Sequence, residues 1–121
     1  FENIAFGFES KSMRARIETI LETLNIPRFP NLDTMAGKSG SALSGGQRTI
    51  VYLIRAFLKQ TKIVILDEPT AALDADTKKS IQAVVTKLFK NQTLIVITHD
   101  FSVEWEHTKH WYVANGAVTL K

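Results

Sequence analysis

Two short β-branched runs, "KIVILDEP" at 62–69 and "TLIVITHD" at 93–100, constrain this chain more than any other feature. Both are rich in residues that suit a pleated surface. Each stops on polar residues, the first at a proline that cannot continue a hydrogen-bonded ladder. Both predict buried strands. Between them, Asp74 precedes Ile81, Val84, Val85, Leu88 and Phe89 at spacings of three and four, a pattern that predicts a helix with Asp74 as its cap. Helix, strand, helix, strand calls for a parallel sheet with helices packed on its faces, because parallel neighbours need a crossover.

The rest of the chain fits around that unit. Met13, Ile17, Ile20, Leu21 and Leu24 recur at helical spacing from Ser12 to Leu24, and "NIPRFPNLD" with its two prolines ends the helix. "TIVYLIRAFL" at 49–58 is apolar nearly all round, so it fits a buried helix and equally a strand. "HWYVANGAVTL" at 110–120 predicts two short strands around a turn at Asn115-Gly116. The fold class is therefore α/β, with a helical, loop-rich front part.

At 121 residues and 45% hydrophobic, the chain is one domain's worth or less. It contains no cysteine, so no disulfide framework holds it, and a cytosolic setting fits. Its net charge of +3 is only a mild bias towards acidic partners, because acidic residues are spread among the basic ones. No apolar run approaches the ~20 residues of a membrane span. The chain opens on Phe1, and "FENIAFG" has the look of the middle of a segment, which suggests further sequence upstream.

Two glycine-containing patches could each seat a phosphate. "GKS" at 37–39 is the tail of the P-loop pattern, which needs a glycine five positions before Gly37. Leu32 stands there, and "FPNLDTMA" is no strand, so Lys38 belongs to a flexible exposed loop. "SGGQ" at 44–47 is better placed. Ser44 and Gln47 have the spacing of a capping box at the start of the segment 49–58. Gly45 and Gly46 cost a helix up to about 1 kcal/mol each against alanine, which suggests close approach of something to the backbone. A helix start suits an anion, and simple helix entry explains the same residues without one.

The second constellation lies where the strands end. Asp67 and Glu68 stand at the carboxyl end of the first strand, the place for chemistry in an open α/β sheet. Asp67 could hold Mg²⁺ and Glu68 could orient or deprotonate a water. A plain polar turn before Pro69 is the alternative. Thr98, His99 and Asp100 end the other strand, and parallel pairing would bring His99 to the same edge.

"LSGGQ" at 43–47, "IVILDE" at 63–68, "ALD" at 72–74 and "THD" at 98–100 resemble, in order and spacing, the signature, Walker B, D-loop and switch-histidine motifs of the ATP-binding cassette transporter ATPases. "DTMAGKSG" at 33–40 is similar to the loop before the signature in exporter-type members, and "ENIAFG" to the segment after their Q-loop. The resemblance implies a partial P-loop NTPase fold of that type, with a helical subdomain at about 9–42 and the signature helix and catalytic core at 43–121. It implies ATP and Mg²⁺ as cofactors. Ser44, Gly45, Gly46 and Gln47 would cap the γ-phosphate of an ATP held mainly by a second subunit, and Asp74 would lie at the interface between the two. Asp67 would help hold Mg²⁺, Glu68 would be the general base, and His99 would contact the γ-phosphate.

The implied partners are a second nucleotide-binding domain, head to tail, and transmembrane domains that anchor the protein at the cytoplasmic side of a membrane; nucleic acid is not expected. The chain also departs from the family pattern. Lys38 stands for the usual acid, and Thr49-Ile50 follow "QR" where a polar and a basic residue are usual. No Walker A, Q-loop or adenine-stacking aromatic occurs in residues 1–121, so the expectation is the back half of a cassette, inactive alone. Two alternatives stay open: a cassette that supplies only the signature face to a partner's ATP, and a non-transport member acting on nucleic acid or ribosomes.

Overall fold

The structure, a computed structural model, describes residues 1–5, 11–26, 29–106 and 109–120. The proposed subdomain start near residue 9, the end of the 2–7 resemblance and Pro27 lie outside the described residues. Among the described residues, four α-helices, a 3₁₀ turn and four strands follow one another: α1 Glu2–Ala5, α2 Lys11–Leu24, the turn Lys38–Gly40, α3 Gly45–Leu58, β1 Ile63–Asp67, α4 Ala75–Phe89, β2 Thr93–Ile97, β3 Trp111–Ala114 and β4 Ala117–Leu120.

The segment 49–58, which periodicity left open, is helical. Its helix starts at Gly45, where Ser44 and Gln47 form both bonds of the capping box: Gln47 N–H donates to Ser44 Oγ (3.2 Å), and Ser44 N–H donates to Gln47 Oε1 (2.8 Å). A capped start settles the direction of a sequence that is apolar nearly all round. Helix α4 is entered the same way, with Thr77 N–H donating to Asp74 Oδ1 at 3.0 Å. The five stripe residues from Ile81 to Phe89 are all buried, as the three-and-four spacing requires.

Strands β1 and β2 pair in parallel, with Ile65 opposite Ile95 and Asp67 opposite Ile97. Helix α4 is the crossover between them. The core is one cluster in which Ile17 and Leu24 of α2, Ile50, Leu53 and Ile54 of α3, Val64 of β1 and the α4 stripe meet; Leu66 and Leu94 pack against it.

The expectation of two buried strands with helices on both faces needs correction. Only alternate residues turn to the helices. Ile63, Ile65, Ile95 and Ile97 line the other face and are 45–62% exposed. Residues 63–66 and 94–97 are apolar at every position, which fits strands covered on both sides, yet among the described residues one side is covered. The hairpin forms as predicted: β3 and β4 pair antiparallel, and Asn115 and Gly116 both take positive φ (50° and 75°), the requirement of a tight two-residue turn. It is exposed along its length.

The start of α3 lies against the start of α4. A Cβ added to Gly46 would stand 2.6 Å from Thr77 Cγ2, and one on Gly45 would stand 3.0 Å from a methyl of Leu73. The close approach that the paired glycines suggested is therefore made, at least in part, by the chain itself. Gly46→Ala should cost about 1–3 kcal/mol by overpacking, and adding Thr77→Ser, which removes the clashing methyl, should return most of it. Chemical denaturation of the parent, the single and the double variant measures this; equal loss with and without Thr77→Ser would refute the contact as the cause.

Candidate functional site

The carboxyl edge of the two-stranded sheet gathers Asp67, Glu68 and His99 of the residues that the sequence singled out. β1 ends at Asp67, and the chain turns at Glu68, whose φ of 49° is left-handed for a residue with a side chain. That conformation costs on the order of 1–2 kcal/mol and is stored where the surroundings hold it. Here the hold is visible: Glu68 N–H donates to Ile97 O at 2.8 Å, extending the ladder one step past the strand.

The side chain of Glu68 is gripped by the end of β2. Glu68 Oε1 accepts from His99 N–H at 3.0 Å and lies 2.5 Å from His99 Nδ1, and Thr98 Oγ1 donates to Glu68 Oε2 at 3.4 Å. These contacts, the His99 ring foremost, hold the Glu68 carboxyl below the usual carboxylate range. An ionised acceptor fixes the hydrogen of the neutral ring on Nδ1, which leaves Nε2 facing outward on a side chain that is 85% exposed. Among the described residues Oε2 carries only the long Thr98 bond, so it is the oxygen better able to take a proton. Parallel pairing thus brings Glu68 and His99 together, while Asp67 stands beside them, exposed, with Ile97 opposite.

Among the described residues, no three His, Cys, Asp or Glu side chains cluster as a metal cage. Asp67 fits a Mg²⁺ that takes one protein carboxylate and fills its other positions with phosphate and water oxygens.

Ser44, Gly45, Gly46 and Gln47 sit at a distinct place, the start of α3. Gln47 N–H is used by the cap, which leaves the N–H groups of Gly45 and Gly46 as the donors of that helix end, beside the exposed Ser44 hydroxyl. The α3 start and the sheet edge are linked through the first turn of α4, in which Thr77 meets Gly46. Asp74 caps that turn, accepting from Thr77 N–H and from Thr77 Oγ1 (2.6 Å), and Thr77 holds its carboxyl below the usual range. Lys38 opens a 3₁₀ turn with no strand before it among the described residues, so "GKS" has no P-loop frame there.

Sequence reasoning gave no role to Lys78, which donates to Asp100 Oδ2 at 2.5 Å. Asp100 Oδ1 also accepts from Ser102 N–H (2.9 Å) and Ser102 Oγ (2.6 Å), while Asp100 N–H donates to Thr98 Oγ1 at 3.0 Å. A charge pair 22 residues apart leaves no local pattern; only the knowledge that α4 runs alongside β2 could have suggested it.

A comparison with protein families matches residues 1–71 to the ABC transporter family. The chain belongs to that family. It is 39% identical to the ATP-dependent lipid A-core flippase of Vibrio parahaemolyticus, over 96% of this chain and 21% of the relative. The flippase of that name from Vibrio vulnificus strain CMCP6 is 41% identical over the same shares. ABC transporter B family member 21 of Arabidopsis thaliana is 38% identical over 84% of this chain and 8% of that protein. The chain spans about a fifth of the length of the flippases it matches. Its partial ABC-type α/β fold accords with the matched family.

Lys78 and the two Ser102 bonds hold the Asp100 carboxyl well below the usual carboxylate range. A depressed folded-state pKa means that the unfolded chain binds more protons in acid. The stabilisation is therefore present above the unfolded value of about 3.9 and is lost as pH falls below it. The stability gap between the parent and Asp100→Asn, read from urea midpoints, should be open at about pH 6 and should close in strong acid. A gap independent of pH would contradict the ion pair.

Proposed function

We propose that this chain is part of an ATP-hydrolysing nucleotide-binding domain that powers transport across a membrane, attached through transmembrane domains with this part on the cytoplasmic side. The single observation that carries the reading is the Glu68–His99 pair at the carboxyl edge of β1 and β2, with Asp67 beside it. Membership of the ABC transporter family and relatives named as ATP-dependent flippases support it.

On this reading the residues divide the work between two copies of the domain, set head to tail. Asp67 helps hold Mg²⁺, which supplies charge neutralisation on the phosphates. Glu68, kept ionised by its contacts, accepts a proton from the attacking water. His99 keeps Glu68 oriented and presents Nε2 to the γ-phosphate side. The helix start at Ser44, with the N–H groups of Gly45 and Gly46, faces the nucleotide of the other copy; Gln47 holds the cap, and Asp74 stands at the interface. Phosphoryl transfer asks a protein chiefly for such positioning and charge stabilisation. Residues 1–121 alone, with no P-loop lysine cradle in their sequence, would not turn over ATP. The division between a helical subdomain and the catalytic core near residue 42 is part of the same proposal.

Two variants of the protein as the cell makes it test the reading. Glu68→Gln should keep nucleotide binding and lower ATPase turnover by ~10²-fold or more, the usual contribution of a positioned base; near-normal turnover would remove Glu68 from that role. In the Glu68→Gln background, Ser44→Arg should abolish ATP-dependent dimerisation measured by light scattering. Dimerisation equal to the parent's would leave the α3 start as a helix cap and nothing more.

A further inference from the structure

The hydrogen bonds around Glu68 do not end at His99. The turn 98–102 that carries His99 belongs to no helix or strand, so its shape depends on the bonds made inside it and to it. Inside it, Asp100 N–H donates to Thr98 Oγ1, and Asp100 Oδ1 accepts twice from Ser102. From outside, Lys78 Nζ donates to Asp100 Oδ2 at 2.5 Å and lies 3.4 Å from Ser102 Oγ.

We propose that Lys78 is a positioning residue for the Glu68–His99 pair: its ammonium fixes Asp100, and Asp100 fixes the turn from which Thr98 and His99 hold the Glu68 carboxylate. The proposal rests on the ATPase reading above and adds to it a residue that touches neither nucleotide nor water.

An exposed ion pair would contribute little, commonly about 0–1 kcal/mol. This one differs in three ways. Its side chains are only 21% and 19% exposed, so solvent screens it less than an open pair. Asp100 has several further bonds, so the ammonium acts on a carboxylate already fixed in direction. Finally, α4 is anchored in the core through Ile81, Val84 and Val85, so the base of the Lys78 side chain is held by buried residues of its own helix. Lys79, next in sequence, is exposed and takes no part in the network.

The placement has a second consequence. Thr77, Lys78's neighbour, packs against Gly46, so one helical turn touches both the start of α3 and the turn of His99. A shift of either would be felt at the other through the first turn of α4.

The test uses the protein as the cell makes it. Lys78→Met keeps the stem and removes the charge. It should lower kcat for Mg-ATP about tenfold while leaving KM within about twofold, because positioning of the base is lost and ground-state binding is not. Lys78→Arg, which can still reach a carboxylate, should restore most of kcat. Asp100→Asn should match Lys78→Met, and the double variant should be no worse than either, as members of one linkage are non-additive. Unchanged kcat, a loss that Arg fails to restore, or additive losses would overturn the proposal.

Hydrogen exchange separates its failure from that of the ATPase reading. In Lys78→Met the amides of His99 and Asp100 should exchange about tenfold faster, with those of Val84 and Val85 unchanged, as one charged hydrogen bond supplies that order of protection. Unchanged exchange at 99 and 100 refutes the positioning role even if the protein hydrolyses no ATP. Loss of turnover without any effect of Glu68→Gln refutes instead the reading on which it stands.

Discussion

The methyl group of Thr77 stands against the bare backbone of Gly46, and the junction between the starts of α3 and α4 depends on that closeness. A side chain on residue 46 would meet the Thr77 methyl and press the start of α4 away from the start of α3 unless that methyl were removed. With α4 would move Asp74, its cap, and Lys78, the partner of Asp100. Glycine here costs helix propensity of about 1 kcal/mol and returns a junction in which two helix starts meet. The helices are fixed relative to each other further along by the apolar cluster of Ile50, Leu53, Ile54, Ile81, Val84 and Val85, so the junction is clamped from behind.

At the sheet edge the controlling constraint is parallel pairing. With Asp67 opposite Ile97, the residues that follow each strand emerge side by side, and Glu68 meets Thr98 and His99 without any long loop to guide it. The left-handed turn at Glu68 points the chain out of the ladder while its N–H still bonds to Ile97 O. Strain, ladder and the His99 bonds act at one residue. This is why Glu68, in a polar turn of ordinary appearance, has a defined carboxylate direction and a lowered pKa.

How much of this could be read from the sequence follows from the range of each interaction. The caps at Ser44 and Asp74 and the buried stripe of α4 are local patterns, legible because their partners lie three or four residues away. The meeting of Glu68 and His99 needed one topological inference, and the run of strand, helix and strand was enough to support it. The close approach at Gly46 was legible as a fact and illegible as a cause: the glycines suggested an approaching group, but nothing local names Thr77, 31 residues on. Lys78 and Asp100 were hidden for the same reason. The covering of β1 and β2 was over-read, because apolar residues on both faces say that each face suits burial, not that each is buried; Ile63, Ile65, Ile95 and Ile97 stay open among the described residues. The signature and Walker B motifs were legible only through resemblance, which the family match over residues 1–71 bears out.

The central claim is that the α3 start and the Glu68–His99 pair serve different nucleotides, joined within one chain by the first turn of α4. An experimental structure of the Glu68→Gln protein, as the cell makes it, with Mg-ATP bound tests it most directly. The account predicts a γ-phosphate lying between two copies, within hydrogen-bond distance of Ser44 Oγ and the Gly46 N–H of one and of His99 of the other. A phosphate seated on Gly37 and Lys38, or one that takes both sets of contacts from a single copy, would contradict it.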